Sequence, residues 1–143
     1  MNATLEKFGW PATLVQEYDH WVVLLRPAQV TLGSLVLAAK SDATAFGDLA
    51  PEAFAELKLA TAAIEHALTR FTGFEKINYL MLMMVDPHVH FHVIPRYEGT
   101  RTWQELEFPD EGWPKTPALN SAVTLDAPQR DALIAALIAH WPE

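Results

Sequence analysis

His88, His90 and His92 alternate with Val89, Phe91 and Val93 in residues 86–96. Alternation with period 2 marks a β-strand with one buried face, and valine and phenylalanine suit a pleated, half-buried surface. On such a strand the three histidines share one face and the apolar residues point to the core. Neighbouring imidazoles then stand about 6.6 Å apart, at about 3.3 Å per residue. Half of the chain's six histidines are thus in one row.

Such a row can serve three ends. It can be a solvated face, although Thr, Lys or Glu would serve as well. It can be a metal site, with His88 and His90, or His90 and His92, gripping one ion through neutral imidazole. The outer pair spans about 13 Å, too far for two metal–nitrogen bonds of about 2.1 Å. A third ligand would have to come from elsewhere, and the chain has no cysteine. It can also track a line of phosphates. One histidine then attacks phosphorus and carries the group covalently, while its neighbours bind oxygens and stabilise developing charge.

The run His88-Val89-His90-Phe91-His92-Val93-Ile94, followed by Pro95-Arg96, resembles the signature of the histidine triad (HIT) family of nucleotide hydrolases and transferases. The likeness extends more weakly over residues 21–96, and the chain is similar to a divergent relative of the diadenosine polyphosphate hydrolases. The resemblance implies that His90 attacks an α-phosphate and forms a nucleotidyl-histidine intermediate that water hydrolyses. His88 and His92 would orient it and bind phosphate oxygens. Dinucleoside polyphosphates and nucleoside phosphoramidates are the substrate classes implied. No metal site and no cofactor are required, although a magnesium ion can accompany a polyphosphate. A homodimer is also expected from the resemblance.

Two positions depart from the family pattern. Gly33-Ser34-Leu35-Val36 occupies a segment where many HIT proteins read Gly-His-Leu-Val, so Ser34 stands where a fourth histidine is usual. Ser34 either hydrogen-bonds in its place or faces the core. Met84 and Val85 occupy positions near those where a Gln or Ser usually contacts the leaving group. Asp86 is a substitute proton donor if burial or phosphate charge raises its pKa, and otherwise a turn residue. Asn78 is a candidate ribose or phosphate contact, and Arg96 a candidate bidentate phosphate ligand.

The elements that must hold these residues follow from pattern. Residues 1–12, with Gly9 and Pro11, read as an irregular lead-in. Runs 13–18 and 21–25, linked by Asp19-His20, read as a hairpin, and 31–39 as a third strand. Pro51 opens a helix whose stripe is Phe54, Leu57, Thr61, Ile64, Leu68 and Phe71, with His66 opposite and Gly73 as its stop. Residues 75–84 read as a fourth strand, in which the run 80–84 is buried on both faces or lies in a subunit contact. Pro95 limits the triad strand. A further short segment covers 99–108 and a Pro- and Trp-rich loop 109–125, where Trp113 fills a surface hollow or walls a base. Asp126 caps a last helix with a stripe of Leu133, Ile134, Leu137, Ile138 and Trp141, and His140 near its end. These elements predict an α+β fold with a largely antiparallel five-stranded sheet, one packed helix and a C-terminal helix, which agrees with the HIT-like fold that the resemblance implies.

With 143 residues and half of them hydrophobic, one domain over 1–143 is expected, its motif-bearing core at about 13–98. A net charge of −8 disfavours nucleic acid and anionic membranes as partners. No apolar stretch is long enough for a membrane span and no signal peptide is seen, so a cytoplasmic protein acting on a small nucleotide is expected.

Overall fold

The computed structural model describes residues 2–143. In chain order the elements are helix α1 (Ala3–Lys7), strands β1 (Leu14–Glu17), β2 (Trp21–Leu25), β3 (Ala28–Gln29) and β4 (Leu35–Ala39), helix α2 (Pro51–Thr72), strands β5 (Lys76–Leu80), β6 (His90–Arg96), β7 (Thr100–Trp103), β8 (Leu106–Pro109) and β9 (Val123–Thr124), and helix α3 (Ala127–His140). Five strands form one antiparallel sheet in the order β1-β2-β4-β6-β5. Two ribbons, β3 with β9 and β7 with β8, flank it. The architecture is α+β with a packed and a C-terminal helix, as the pattern predicts.

Strand parity sorts the sheet into two faces. Val23, Leu25, Leu35, Leu37 and Val93 pack with Ala60, Ile64 and Leu68 of α2 and with Leu133 and Leu137 of α3. On the opposite face Val22, Leu24, Val36 and Ala38 pack with Leu5, Phe8, Trp10 and Leu14. Register aligns Ala38 with His90 and Val36 with His92, so the second face is also the histidine face.

The α2 stripe is partly as expected. Its buried positions include Ala53, Ala60 and Ala67, whose short side chains let the helix lie close to the sheet. Phe54 is displaced to the edge, where it meets Phe46 and remains 38% exposed. Gly73 caps α2 in the left-handed region (φ 60°), and its N–H reaches the carbonyls of Leu68 and Thr69. Asp126 caps α3 with a reciprocal bond pair to Gln129. Ile138, expected on the α3 stripe, is mostly exposed.

Four expectations are corrected. The lead-in carries a helix, α1, capped by Asn2. The third strand begins at Leu35, because Gly33 (φ 91°) turns the chain just before it. A Cβ at Gly33 would also come within 2.8 Å of Leu68. The fourth strand ends at Leu80, and the apolar run beyond it is not buried on both faces: Met84 is 87% and Val85 79% exposed. By the β5–β6 register Leu82 falls opposite His90, where β6 begins, so Met83 and Met84 lie past the end of the partner strand. Finally, Pro95 does not end the triad strand, which continues to Arg96. The Pro95 carbonyl accepts from Thr31 Oγ1 on the β4 side, where the β4 ladder has ended at Leu35 and Val93. Its missing N–H points to that same side and breaks no ladder bond.

Candidate functional site

β6 places His90 and His92 on one face, with ring centroids 5.2 Å apart and edge to face. His88 precedes the strand, and its carbonyl accepts a hydrogen bond from His90 Nδ1 at 2.7 Å. A carbonyl can only accept, so Nδ1 carries the proton and Nε2 keeps a free lone pair. His88 Nδ1 lies 2.8 Å from Thr4 Oγ1, which also accepts the His88 backbone N–H.

The histidine face is roofed by α1 and the segment after it. Phe8 sets its ring 5.5 Å from His90 and 5.6 Å from His92. Under this roof His90 is 1% exposed. The cover comes from a stretch that the pattern reads as irregular and that folds over the histidine face. His90 and His92 still line a small cavity of about 150 Å³, bordered by Leu82, Met83, Met84, Val85 and Asp86. Known ligand pockets run from about 300 Å³ upward, so this space fits a phosphate group and not a nucleoside.

Arg26 is the residue that pattern reading missed. Its N–H bonds to the Ser34 carbonyl one step past the last β2–β4 pair, so it continues the parity of Val22 and Leu24 onto the histidine face. One guanidinium nitrogen, Nη1, is buried with no partner among the described residues, and so is His92 Nδ1. Burial, then the Arg26 charge, then His90 hold the His92 pKa down at about 4, with Asp86 opposing. Burial also lowers the pKa of Arg26 itself. The available signal was a lone cation closing an otherwise apolar strand at the parity of the histidine face.

The other candidates divide. Ser34 is fully buried, and its hydroxyl bonds to Thr31 and not to any histidine, so it closes the turn before β4. Asp86 borders the cavity but is paired with Lys7 at 3.0 Å, and a role as proton donor needs that pair to part first. Asn78 and Arg96 lie on the histidine face further along the sheet, because Leu80 pairs with His92 and Asn78 with Ile94. Arg96 is buried and grips Asp110 through two nitrogens at 2.8 and 3.0 Å. Its third bond goes to Asn78 Oδ1 at 2.8 Å. No three His, Asp or Glu side chains converge on a metal-sized space among the described residues.

No protein-family model matches the chain, and neither does any curated protein. Solved structures do. A histidine triad protein from Sinorhizobium meliloti superposes with a TM-score of 0.76 at 23% identity, over 98% of this chain and 95% of that one. One from Bradyrhizobium japonicum gives 0.71 at 21%, over 99% and 97%. The diadenosine triphosphate hydrolase of Plasmodium falciparum gives 0.65 at 11%, over 95% and 92%. The chain has the fold of the histidine triad proteins, with His90 and His92 on the central sheet and His88 just before its β6 strand.

Proposed function

We propose that this protein is a divergent HIT-family nucleotide hydrolase or nucleotidyl transferase that acts at an α-phosphate through a nucleotidyl-His90 intermediate. The observation that carries the reading is the 2.7 Å bond from His90 Nδ1–H to the His88 carbonyl. It leaves Nε2 as the nucleophilic nitrogen and steadies the positive charge that the ring acquires on attack. The Nε2–phosphorus bond forms as the bond to the leaving group breaks, and water then displaces His90. His92, held neutral, and His88 bind phosphate oxygens as donors, while Arg26 supplies the fixed positive charge. No resident metal or cofactor takes part, and a magnesium ion can ride on a polyphosphate substrate. Substrates are dinucleoside polyphosphates or nucleoside phosphoramidates, in the cytoplasm. A homodimer would cover the outer edge of β5 and the exposed Leu82, Met84 and Val85.

The test is AMP release from diadenosine tetraphosphate and from adenosine phosphoramidate by wild type and His90→Ala. Release that survives a chelator on the phosphoramidate and vanishes in the variant supports the reading. A second reading, a nucleotide-binding module with little turnover, is favoured by the exposed Met84 and Val85, neither of which can protonate a leaving group. AMP would then raise the melting temperature while no product forms.

A further inference from the structure

His88 is the triad member that lies outside β6, so strand pairing does not fix its ring. The neighbouring strand offers it nothing polar. By the β4–β6 register the β4 residues on the histidine face are Val36 and Ala38. Lys40 comes next, and it is paired with Glu17 at 2.7 Å. Ser34, at the position where the resemblance sets a fourth histidine, is taken up by Thr31. The partner that His88 does have is Thr4, 84 residues earlier in the chain.

Thr4 is 1% exposed and is fixed by its neighbours in α1. Asn2 accepts the Leu5 N–H, and its amide donates to the carbonyls of Ala39 and Ser41 at 3.1 and 3.0 Å. Leu5 is fully buried, and Lys7 pairs with Asp86. In α2, Thr61 and Thr72 turn their hydroxyls back onto carbonyls four residues earlier. Thr4 is in the first turn of α1, where no helical carbonyl stands four residues back, so its hydroxyl is free to reach across.

Thr4 Oγ1 meets His88 twice. It accepts the backbone N–H at 3.4 Å and lies 2.8 Å from Nδ1. A buried hydroxyl proton needs an acceptor, and Nδ1 is the one in reach among the described residues. Thr4 then donates to Nδ1, so the His88 proton is on Nε2. His88 is half-buried, and its Nε2 makes no hydrogen bond among the described residues. His90 is protonated the other way, on Nδ1, through the His88 carbonyl. Neighbouring rings therefore offer a substrate opposite partners: a donor at His88 Nε2 and a lone pair at His90 Nε2.

We infer that Thr4 is a positioning residue of the triad. Its hydroxyl sets the His88 tautomer and pins the residue whose carbonyl orients His90. The inference rests on the α-phosphate reading, in which His88 donates to a phosphate oxygen. In the opposite tautomer Nε2 would turn a lone pair on that oxygen and repel it. The penalty grows as charge builds on the oxygen during attack, so it falls on kcat more than on KM.

The test pairs Thr4→Val, which keeps the shape and loses the hydroxyl, with Thr4→Ser, which keeps the hydroxyl and loses a methyl. Turnover of adenosine phosphoramidate is measured in both. The His88 ring protons are assigned by long-range proton–nitrogen NMR in the protein without substrate. Wild type and Thr4→Ser should show His88 protonated on Nε2. Thr4→Val should move the ring toward the Nδ1 tautomer. Its kcat should fall roughly 3- to 10-fold, the scale of one net hydrogen bond, with KM within about twofold of wild type. Thr4→Ser should keep most of the wild-type kcat. Full kcat in Thr4→Val, an equal loss in Thr4→Ser, or a His88 protonated on Nδ1 in wild type would overturn the role. Should Thr4→Val fail to fold, the tautomer in wild type and the kcat of Thr4→Ser still decide. Failure of the α-phosphate reading registers separately, as phosphoramidate turnover that is absent or indifferent to His90→Ala.

Discussion

The Phe8 ring lies 5.5 Å from the His90 ring, so a residue from the first ten of the chain roofs the centre of the histidine row. The N-terminal segment is therefore part of the site. Phe8→Ala should keep the fold and lower its stability by about 1–2 kcal/mol, less than a fully buried phenylalanine because this ring is half-buried. His90 should then react faster with an imidazole-acylating reagent, as read by peptide mass mapping. Equal protection in both proteins would mean that the roof does not depend on Phe8.

Docking of α1 itself is tested at Leu5, which is fully buried against Val22, Leu24, Val36 and Ala38. Leu5→Ala should cost about 2–4 kcal/mol in a denaturant melt. A loss near zero would contradict the packing of α1 on the sheet.

Arg26 and His92 share the histidine face, each with a buried nitrogen that lacks a partner among the described residues. Arg26→Ala should reduce kcat/KM on a nucleotide substrate by about a hundredfold, the scale of losing one preorganised charge donor. Arg26→Lys should recover part of it, since a point charge remains without the planar fork. In Arg26→Ala the His92 resonance should titrate at higher pH than in wild type, by NMR. An unmoved titration would show that the guanidinium does not face His92.

The depressed His92 pKa sets a sign for stability against pH. The unfolded histidine binds a proton near pH 6.5 and the folded one only near about 4. Between these values the unfolded state holds more protons, so stability falls as pH drops through that window and rises as pH increases. His92→Asn should flatten the wild-type dependence there. Urea melts at pH 4.5 and 6.5 measure it, and equal slopes in both proteins would contradict the buried, neutral imidazole.

Local pattern carried the fold far. Period 2 in 88–94 separated the histidine face from the core face, and Asp126 marked the start of α3. What it missed depends on contacts between distant segments. Helix α1 has five residues, too few to show a period, and its place is set by Leu5 entering a sheet groove that later strands complete. The run 80–84 reads the same whether buried or exposed, because apolar content does not reveal whether a strand has a partner. Arg26 lies far from the histidines in sequence, and only the assembled register of β2, β4 and β6 brings it to their face.

The most direct test is to catch the intermediate. Wild-type protein turning over adenosine phosphoramidate is denatured under non-acidic conditions, and its peptides are mapped by mass spectrometry. An adenylyl group on His90, absent from His90→Ala, is the result expected of an imidazole nucleophile. Steady turnover with no adduct on His90, or an adduct on another residue, would contradict it.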